Sequence, residues 1–250
     1  MNACACSNIK VLHNILIPIT NLQVSEAVKF GAELLESNTL TLNGVYEIND
    51  VCGGKVHTFH DNILTQQAHC STKDNDGGWT VILRRKTYAS QPVNFTRSWD
   101  DYVQGFGNLN TEFWYGLRNI HCLTTREQVE LQLLVTLTNG TSLLWTYHQF
   151  VVDPPEDKYT LHVGEAEVPS GEYDILSYSN DGRPFTTYDS DNDNWSLNCA
   201  LYHLQGNGGG WWYSGCSHIF LTHPRPSIHY PDRDYLDFVE MKVRPKRCTS

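Results

Sequence analysis

The sequence predicts a domain of mixed helix and antiparallel strand, on three observations. Val129, Leu131, Leu133, Val135 and Leu137 alternate with Glu130, Gln132 and Thr136, the period of a strand with one buried face. Thr138-Asn139-Gly140-Thr141 follows, in which Asn-Gly tolerates the positive φ angles of a tight turn, so 143–150 returns as the partner strand. Phe113, Leu117 and Ile120 share one face of a segment opened by Thr111, which predicts a capped helix over 111–120.

The remaining elements follow in chain order. Residues 1–24 read as a leader or linker, because the Cys4-Ala5-Cys6 start has no periodic continuation, and the domain is expected over 25–250. Ser25 opens a short helix with Val28, Leu34 and Leu35 on one side and Asn38 near its end. Asn43-Gly44-Val45-Tyr46-Glu47-Ile48 is a turn followed by a strand. Tyr159, Leu161 and Val163 alternate, as do Val239, Met241 and Val243 against Glu240, Lys242 and Arg244. Residues 180–231 differ in kind: rich in Gly, Asp, Asn, Ser and Pro and without period, they need a staple or carry function.

Composition narrows the function classes. With 40% hydrophobic, 12% aromatic and only 18% charged residues the chain is built to fold. A net charge of −10 and no basic cluster beyond Arg244-Pro245-Lys246-Arg247 argue against nucleic acid as partner. The acidic surplus suits an extracellular protein or one that binds a cation. No stretch nears the roughly 20 apolar residues of a membrane span; the best, 11–19, contains His13, Asn14 and Pro18. That stretch is also a poor secretory signal, with Lys10 alone as its basic region, so an export signal is expected elsewhere or export takes another route.

Eight cysteines, Cys4, Cys6, Cys52, Cys70, Cys122, Cys199, Cys216 and Cys248, form an even and widely spread set that favours disulfides. Three sequons, Asn94-Phe95-Thr96, Asn139-Gly140-Thr141 and Asn194-Trp195-Ser196, point to the same compartment. Cys199 and Cys216 flank the Gly208-Gly209-Gly210-Trp211-Trp212-Tyr213 run. A bridge between them would stabilise by roughly 3 kcal/mol; the rival is a zinc set with His203 and His218.

Asp189-Ser190-Asp191-Asn192-Asp193-Asn194-Trp195 places three carboxylates at alternate positions, a pattern whose repulsion a hard cation such as Ca²⁺ relieves. The competing reading is a solvated turn of Asx hydrogen bonds. No H-E-x-x-H, G-x-S-x-G or G-x-x-x-x-G-K-[ST] occurs, and no enzyme class is supported. The Trp pair is a stacking platform or core, with core the default.

Several stretches together resemble the fibrinogen C-terminal domain family, in kind the ficolin- and tachylectin-like lectins. They are Asn43-Gly44-Val45-Tyr46, Gly77-Gly78-Trp79-Thr80-Val81-Ile82-Leu83-Arg84-Arg85, Gly105-Phe106-Gly107, Glu112-Phe113-Trp114-Tyr115-Gly116-Leu117 and Phe185-Thr186-Thr187. The acidic loop, Asn198-Cys199-Ala200, Trp211-Trp212-Tyr213, Cys216 and Glu240-Met241-Lys242-Val243-Arg244-Pro245 follow in the family's order. The resemblance implies an α+β fold: a small N-terminal subdomain, a central twisted, mostly antiparallel sheet, and a loop-rich subdomain for calcium and ligand. A C-terminal strand over 237–244 would return to the sheet.

Carried over by position, Ca²⁺ would take side-chain oxygens of Asp191 and Asp193 and backbone carbonyls of Trp195 and Leu197, with Asp189 just outside. A glycan at Asn194 would crowd this loop, so glycosylation is expected at Asn94 and Asn139. The family's acetyl-binding cavity would map to Tyr202, Cys216, Ser217 and His218. Ser217 stands where lectin members have His, Ile219-Phe220-Leu221-Thr222 replaces Asn-Leu-Asn-Gly, and the segment before Ile228-His229-Tyr230 is shortened. His218, Phe220 or Tyr230 would then substitute for the missing aromatic wall. The family's first cysteine, expected near Gly31, is absent, while Cys52, Cys122 and Cys248 are extra. Chain geography suggests Cys52 with Cys70 and Cys122 with Cys248.

The resemblance implies a secreted, calcium-stabilised, non-enzymatic module that recognises acetylated or anionic carbohydrate or a glycoprotein, in the manner of a defence lectin. Affinity for a simple sugar would be about 1 mM or poorer, so a homo-oligomer or larger ligand would be needed for useful binding. The alternative is a protein-binding receptor ligand of the angiopoietin kind. No collagen-like or coiled-coil stalk sets an oligomer.

Overall fold

The computed structural model describes residues 10–12, 44–49, 66–71, 79–87, 89–90, 92–202, 208–216, 218–228 and 234–246, the first three segments and Tyr202 by their backbone alone. The expected helix opened by Ser25 lies outside these residues. In chain order the strands begin with β1 (Lys10–Leu12), β2 (Gly44–Asn49), β3 (Gln66–Ser71) and β4 (Trp79–Lys86). Next come helix α1 (Trp99–Gln104), β5 (Phe106–Gly107), β6 (Phe113–Trp114) and helix α2 (Leu117–Arg126). β7 (Val129–Leu137), β8 (Ser142–Tyr147), β9 (Phe150–Val152), β10 (Leu161–Val163) and β11 (Ala166–Glu167) follow. Short helices α3 (Ser177–Asn180) and α4 (Cys199–Tyr202), then β12 (Ser227–Ile228) and β13 (Asp234–Pro245), complete the chain.

The main sheet runs β1-β2-β3-β4-β13-β7-β8-β11, every pairing antiparallel. The last strand thus returns to the middle, as the family resemblance implies. Lys10–Leu12, inside the segment read as a leader, pairs with β2. Met241 lies opposite Leu83 and Leu133, and Leu133 opposite Trp145, so one row of the inner face is fully buried and apolar. The outer face carries ions: Arg84 chelates the Glu240 carboxylate at 2.5 and 2.8 Å, and Arg244 pairs with Glu130. Gln132 and Lys242 are buried there too, so the β7 alternation separates apolar from polar rather than buried from exposed.

Two sequence expectations need correction. The helix over 111–120 is instead β6 plus α2. Phe113 and Trp114 pair with Arg84 and Leu83 of β4, and the chain can enter α2 only through Gly116 at φ 98°. A Cβ on Gly116 would sit 2.7 Å from the Gln104 carbonyl oxygen. The strand expected over 143–150 stops at Tyr147, because Phe150–Val152 turns away to pair with β10. The hairpin between β7 and β8 forms as expected, with Gly140 at φ 87°.

Below the inner face an aromatic cluster joins the sheet to the loop-rich segment. Phe185 lies 5.2 Å from Tyr102 and 5.1 Å from Trp212, ring centre to ring centre, and Trp212 lies 5.1 Å from Trp211. Both tryptophans are fully buried, so the Trp pair is core. The described residues within 180–231 form isolated bridges and turns around the short α4 and β12, as their composition predicts.

Candidate functional site

The acidic loop is built on side-chain to backbone bonds. Asn192 donates its amide to the Phe185 carbonyl at 2.8 Å, and its N–H reaches Thr186 Oγ1 at 3.1 Å, which roots the loop in the aromatic core. Asp189 accepts from the Trp99 N–H at 2.9 Å and the Thr187 hydroxyl at 2.7 Å. The Trp99 bond ties the loop to the start of α1.

Asp193 accepts from the N–H groups of Trp195 and Cys199, each at 2.8 Å, and Asp191 accepts from the Asp193 N–H at 3.3 Å. Partial burial pushes the Asp193 carboxyl above its ordinary range against the pull of those two N–H bonds, and the neighbouring Asp191 charge raises it further. A cation would relieve that repulsion. If the carbonyls of Trp195 and Leu197 joined these two carboxylates, the donors would all be oxygen, the kind Ca²⁺ takes. Among the described residues no group of three or more His, Cys, Asp or Glu side chains forms a metal cage, so a site here would lean on the carbonyls.

Cys199 and Cys216 are joined by a disulfide with Cα atoms 5.0 Å apart. The bond consumes both thiols and removes the zinc alternative. Cys122 is also disulfide-bonded, while Cys52 and Cys248 lie outside the described residues. The Lys246 N–H bonds to the Gln128 carbonyl at 2.8 Å, two residues beyond the last residue of α2.

The expected ligand residues are placed in part. Cys216 holds φ 69°, a left-handed backbone that a non-glycine residue keeps only when its surroundings impose it. The His218 ring lies 5.9 Å from Tyr178, which is 78% exposed. Ser217 and Tyr230 fall outside the described residues, as does the Tyr202 side chain. Phe220 does not serve as a pocket wall: it is buried, stacks 4.5 Å from His223 and pairs through its backbone with Ser227.

Sequence reasoning missed the buried polar frame beneath this segment. Arg85 donates to the carbonyls of Leu221, at 3.1 Å, and His223, and it lies 4.1 Å from the Phe95 ring centre. Glu112, 3.7 Å from Arg85 Nε, accepts from the N–H groups of Lys86 and Val93 at 2.9 and 2.8 Å. Burial lowers the Arg85 pKa, and Glu112 opposes that shift. Tyr213 donates to the Gly209 carbonyl at 2.6 Å, so the 2.9 Å contact with His223 Nε2 requires that ring nitrogen to carry the proton. Strand period was the available signal: Arg85 falls on the face of Val81 and Leu83, where a charge must be paired.

Asn94 and Asn139 are exposed, and each accepts the N–H of its sequon threonine, at 2.9 and 2.8 Å. No helix among the described residues is long and apolar enough to cross a membrane.

Comparison with known proteins agrees with this architecture. The family described as "Fibrinogen beta and gamma chains, C-terminal globular domain" matches residues 54–225. Fibrinogen-like protein A of Apostichopus parvimensis is 38% identical over 188 residues, covering 71% of this chain and 64% of that protein. Mouse angiopoietin-related protein 6 is 41% identical over 153 residues, 61% of this chain and 31% of that protein. Human tenascin-R is 36% identical over 218 residues, 82% of this chain and 14% of that protein. The chain therefore spans less than two thirds of each relative. The solved fibrinogen-like globe domain of human ANGPTL6 superposes with a TM-score of 0.70 at 31% identity, covering 87% of this chain and 95% of that one. With its α+β architecture, its returning C-terminal strand and a disulfide that follows its acidic loop, the chain belongs to the fibrinogen C-terminal globular domain family.

Proposed function

We propose that this chain is an extracellular, calcium-stabilised recognition module that binds a protein ligand across its loop-rich face and catalyses nothing. The observation that carries this reading is the distribution of apolar surface. Trp195, Leu197 and Leu201, at 37, 48 and 44% exposed, lie with Tyr188 along 188–201, whereas Cys216 of the mapped small-sugar cavity and the adjoining residues 219–223 are buried. An exposed apolar tier on a rigid loop suits a broad macromolecular contact, whereas a small ligand needs a concave pocket. Ca²⁺ held by Asp191, Asp193, Trp195 and Leu197 would order that tier. Disulfides support an oxidising, extracellular setting, with glycans at Asn94 and Asn139 and bridges Cys52–Cys70 and Cys122–Cys248.

The carbohydrate reading keeps one observation in its favour: the exposed Tyr178 ring beside His218, near the strained Cys216, offers a stacking surface for a sugar. Calorimetry with N-acetylglucosamine separates the two, together with binding of the labelled chain to cells stripped by trypsin or oxidised by periodate. The protein reading requires no measurable sugar heat and loss of binding after trypsin alone. Sensitivity to periodate with sugar-competed binding reverses the choice.

A further inference from the structure

We propose that Asn194 is a third N-glycosylation site and that its glycan screens the recognition face. On sequence a glycan at Asn194 is expected to crowd the acidic loop, but the structure divides the loop asparagines into two kinds. Asn192 donates to the carbonyl of Phe185, and Asn198 to that of Thr187 at 2.9 Å, so both amides are spent on holding the loop. Asn194 is exposed, and its side chain makes no hydrogen bond among the described residues. Its backbone alone is anchored, by an N–H bond of 3.3 Å to the Ser214 carbonyl. It is also absent from the expected calcium donors, which are Asp191, Asp193 and the carbonyls of Trp195 and Leu197. A glycan on this amide costs the fold no bond and displaces no cation ligand.

The chemistry requires an oligosaccharide donor activated as a lipid pyrophosphate. Asn194 Nδ2 forms the bond to the anomeric carbon, the bond from that carbon to the pyrophosphate oxygen breaks, and the amide gives up one proton. The sequon is complete in Asn194-Trp195-Ser196. The attached sugar would lie next to Trp195 and close to Leu197, the apolar centre of the proposed contact. Aromatic anchors dominate such contacts, so their occlusion weakens binding steeply. The screening half of the proposal rests on the recognition reading above; the modification half does not.

The test uses the full chain secreted from cultured animal cells. Intact glycopeptide mass spectrometry is expected to find Asn194 occupied alongside Asn94 and Asn139, and a bare Asn194 in molecules glycosylated at the other two overturns the modification. Ser196→Ala, which removes the sequon and keeps the asparagine, is expected to bind cells about tenfold more tightly than the glycosylated chain. Asn194→Gln should reproduce the gain. Equal binding by all three overturns the screening with the modification intact, and no binding by any form overturns the screening together with the recognition reading.

Discussion

The central sheet and the loop-rich segment 177–228 bury side chains to similar depth but are held by different bonds. In the sheet, β13 is laddered on both sides, to β4 and to β7, and its inner residues Val239 and Met241 are fully buried. In the loop-rich segment Trp211, Trp212, Tyr213 and Leu221 are just as buried, yet few of the described backbone groups there pair in ladders. Side chains reach the main chain instead: Asn180 Nδ2 to the Trp212 carbonyl at 2.7 Å, Trp212 Nε1 to the Tyr159 carbonyl at 2.7 Å, and Thr222 Oγ1 to the Gly210 carbonyl at 2.9 Å. Close approach replaces register: a Cβ on Gly209 would lie 2.2 Å from the Thr222 carbonyl oxygen. The backbone bonds of a ladder survive the loss of one side chain, whereas such a network loses a bond with each named residue.

The contrast can be broken or sharpened by substitution. The largest expected effect is in the sheet: Trp145→Ala removes a fully buried ring whose Nε1 bonds the Tyr173 carbonyl at 2.9 Å, and should cost about 3–5 kcal/mol in chemical denaturation. The loss should be global, lowering hydrogen-exchange protection in both regions. Replacing Cys199 and Cys216 by serine should cost about 3 kcal/mol, the constraint of a loop closed across 17 residues. Here the loss should be local, with exchange accelerating in 186–223 while β4, β7 and β13 stay protected. Equal acceleration everywhere would erase the distinction between the regions.

Calcium comes next. At a hundredfold excess over its dissociation constant it should add about 2.7 kcal/mol, or roughly 5–10 °C in melting temperature, and Asp191→Ala or Asp193→Ala should abolish the increment. Identical melts in calcium and in EDTA would remove Ca²⁺ from the account of the loop. Asn180→Ala, which strips the Trp212 carbonyl of its buried donor, should cost about 1–3 kcal/mol by equilibrium unfolding.

The smallest effect carries the clearest sign. The native Asp193 carboxyl is raised by burial and then by Asp191, so in EDTA its contribution is present at acid pH and is lost as pH rises through its native value. Asp193→Asn in EDTA should therefore flatten the stability profile across the carboxylate range while costing about 1 kcal/mol at pH 7, because the amide oxygen can accept only one of the two N–H bonds. The same substitution in calcium should remove the whole calcium increment. An unchanged EDTA profile would show that burial and Asp191 do not govern this group.

The parts of the molecule legible in sequence are those with local causes. Residues 129–137 announce β7 by period, Asn139-Gly140 announces its hairpin, and the spacing of Asp189, Asp191 and Asp193 marks the loop that the structure builds on Asx-type bonds. The family's motifs were equally legible, because tight turns and a clasped loop demand particular residues at particular places. What sequence could not supply depended on partners far along the chain. Glu112-Phe113-Trp114 carries the periodicity of a helix and becomes β6 because β4 offers it hydrogen bonds. Arg85 stands in a run of basic residues, yet tertiary structure alone decides that its charge is buried against Glu112 and the carbonyls of Leu221 and His223. Phe220, an aromatic free by sequence to wall a pocket, is drawn inward onto His223, leaving the exposed apolar tier to the acidic loop. Periodicity and turn chemistry act over a few residues, so the chain's own order determines them. Burial of a charge or a ring is settled by whichever distant segment packs against it, and only the folded structure specifies that.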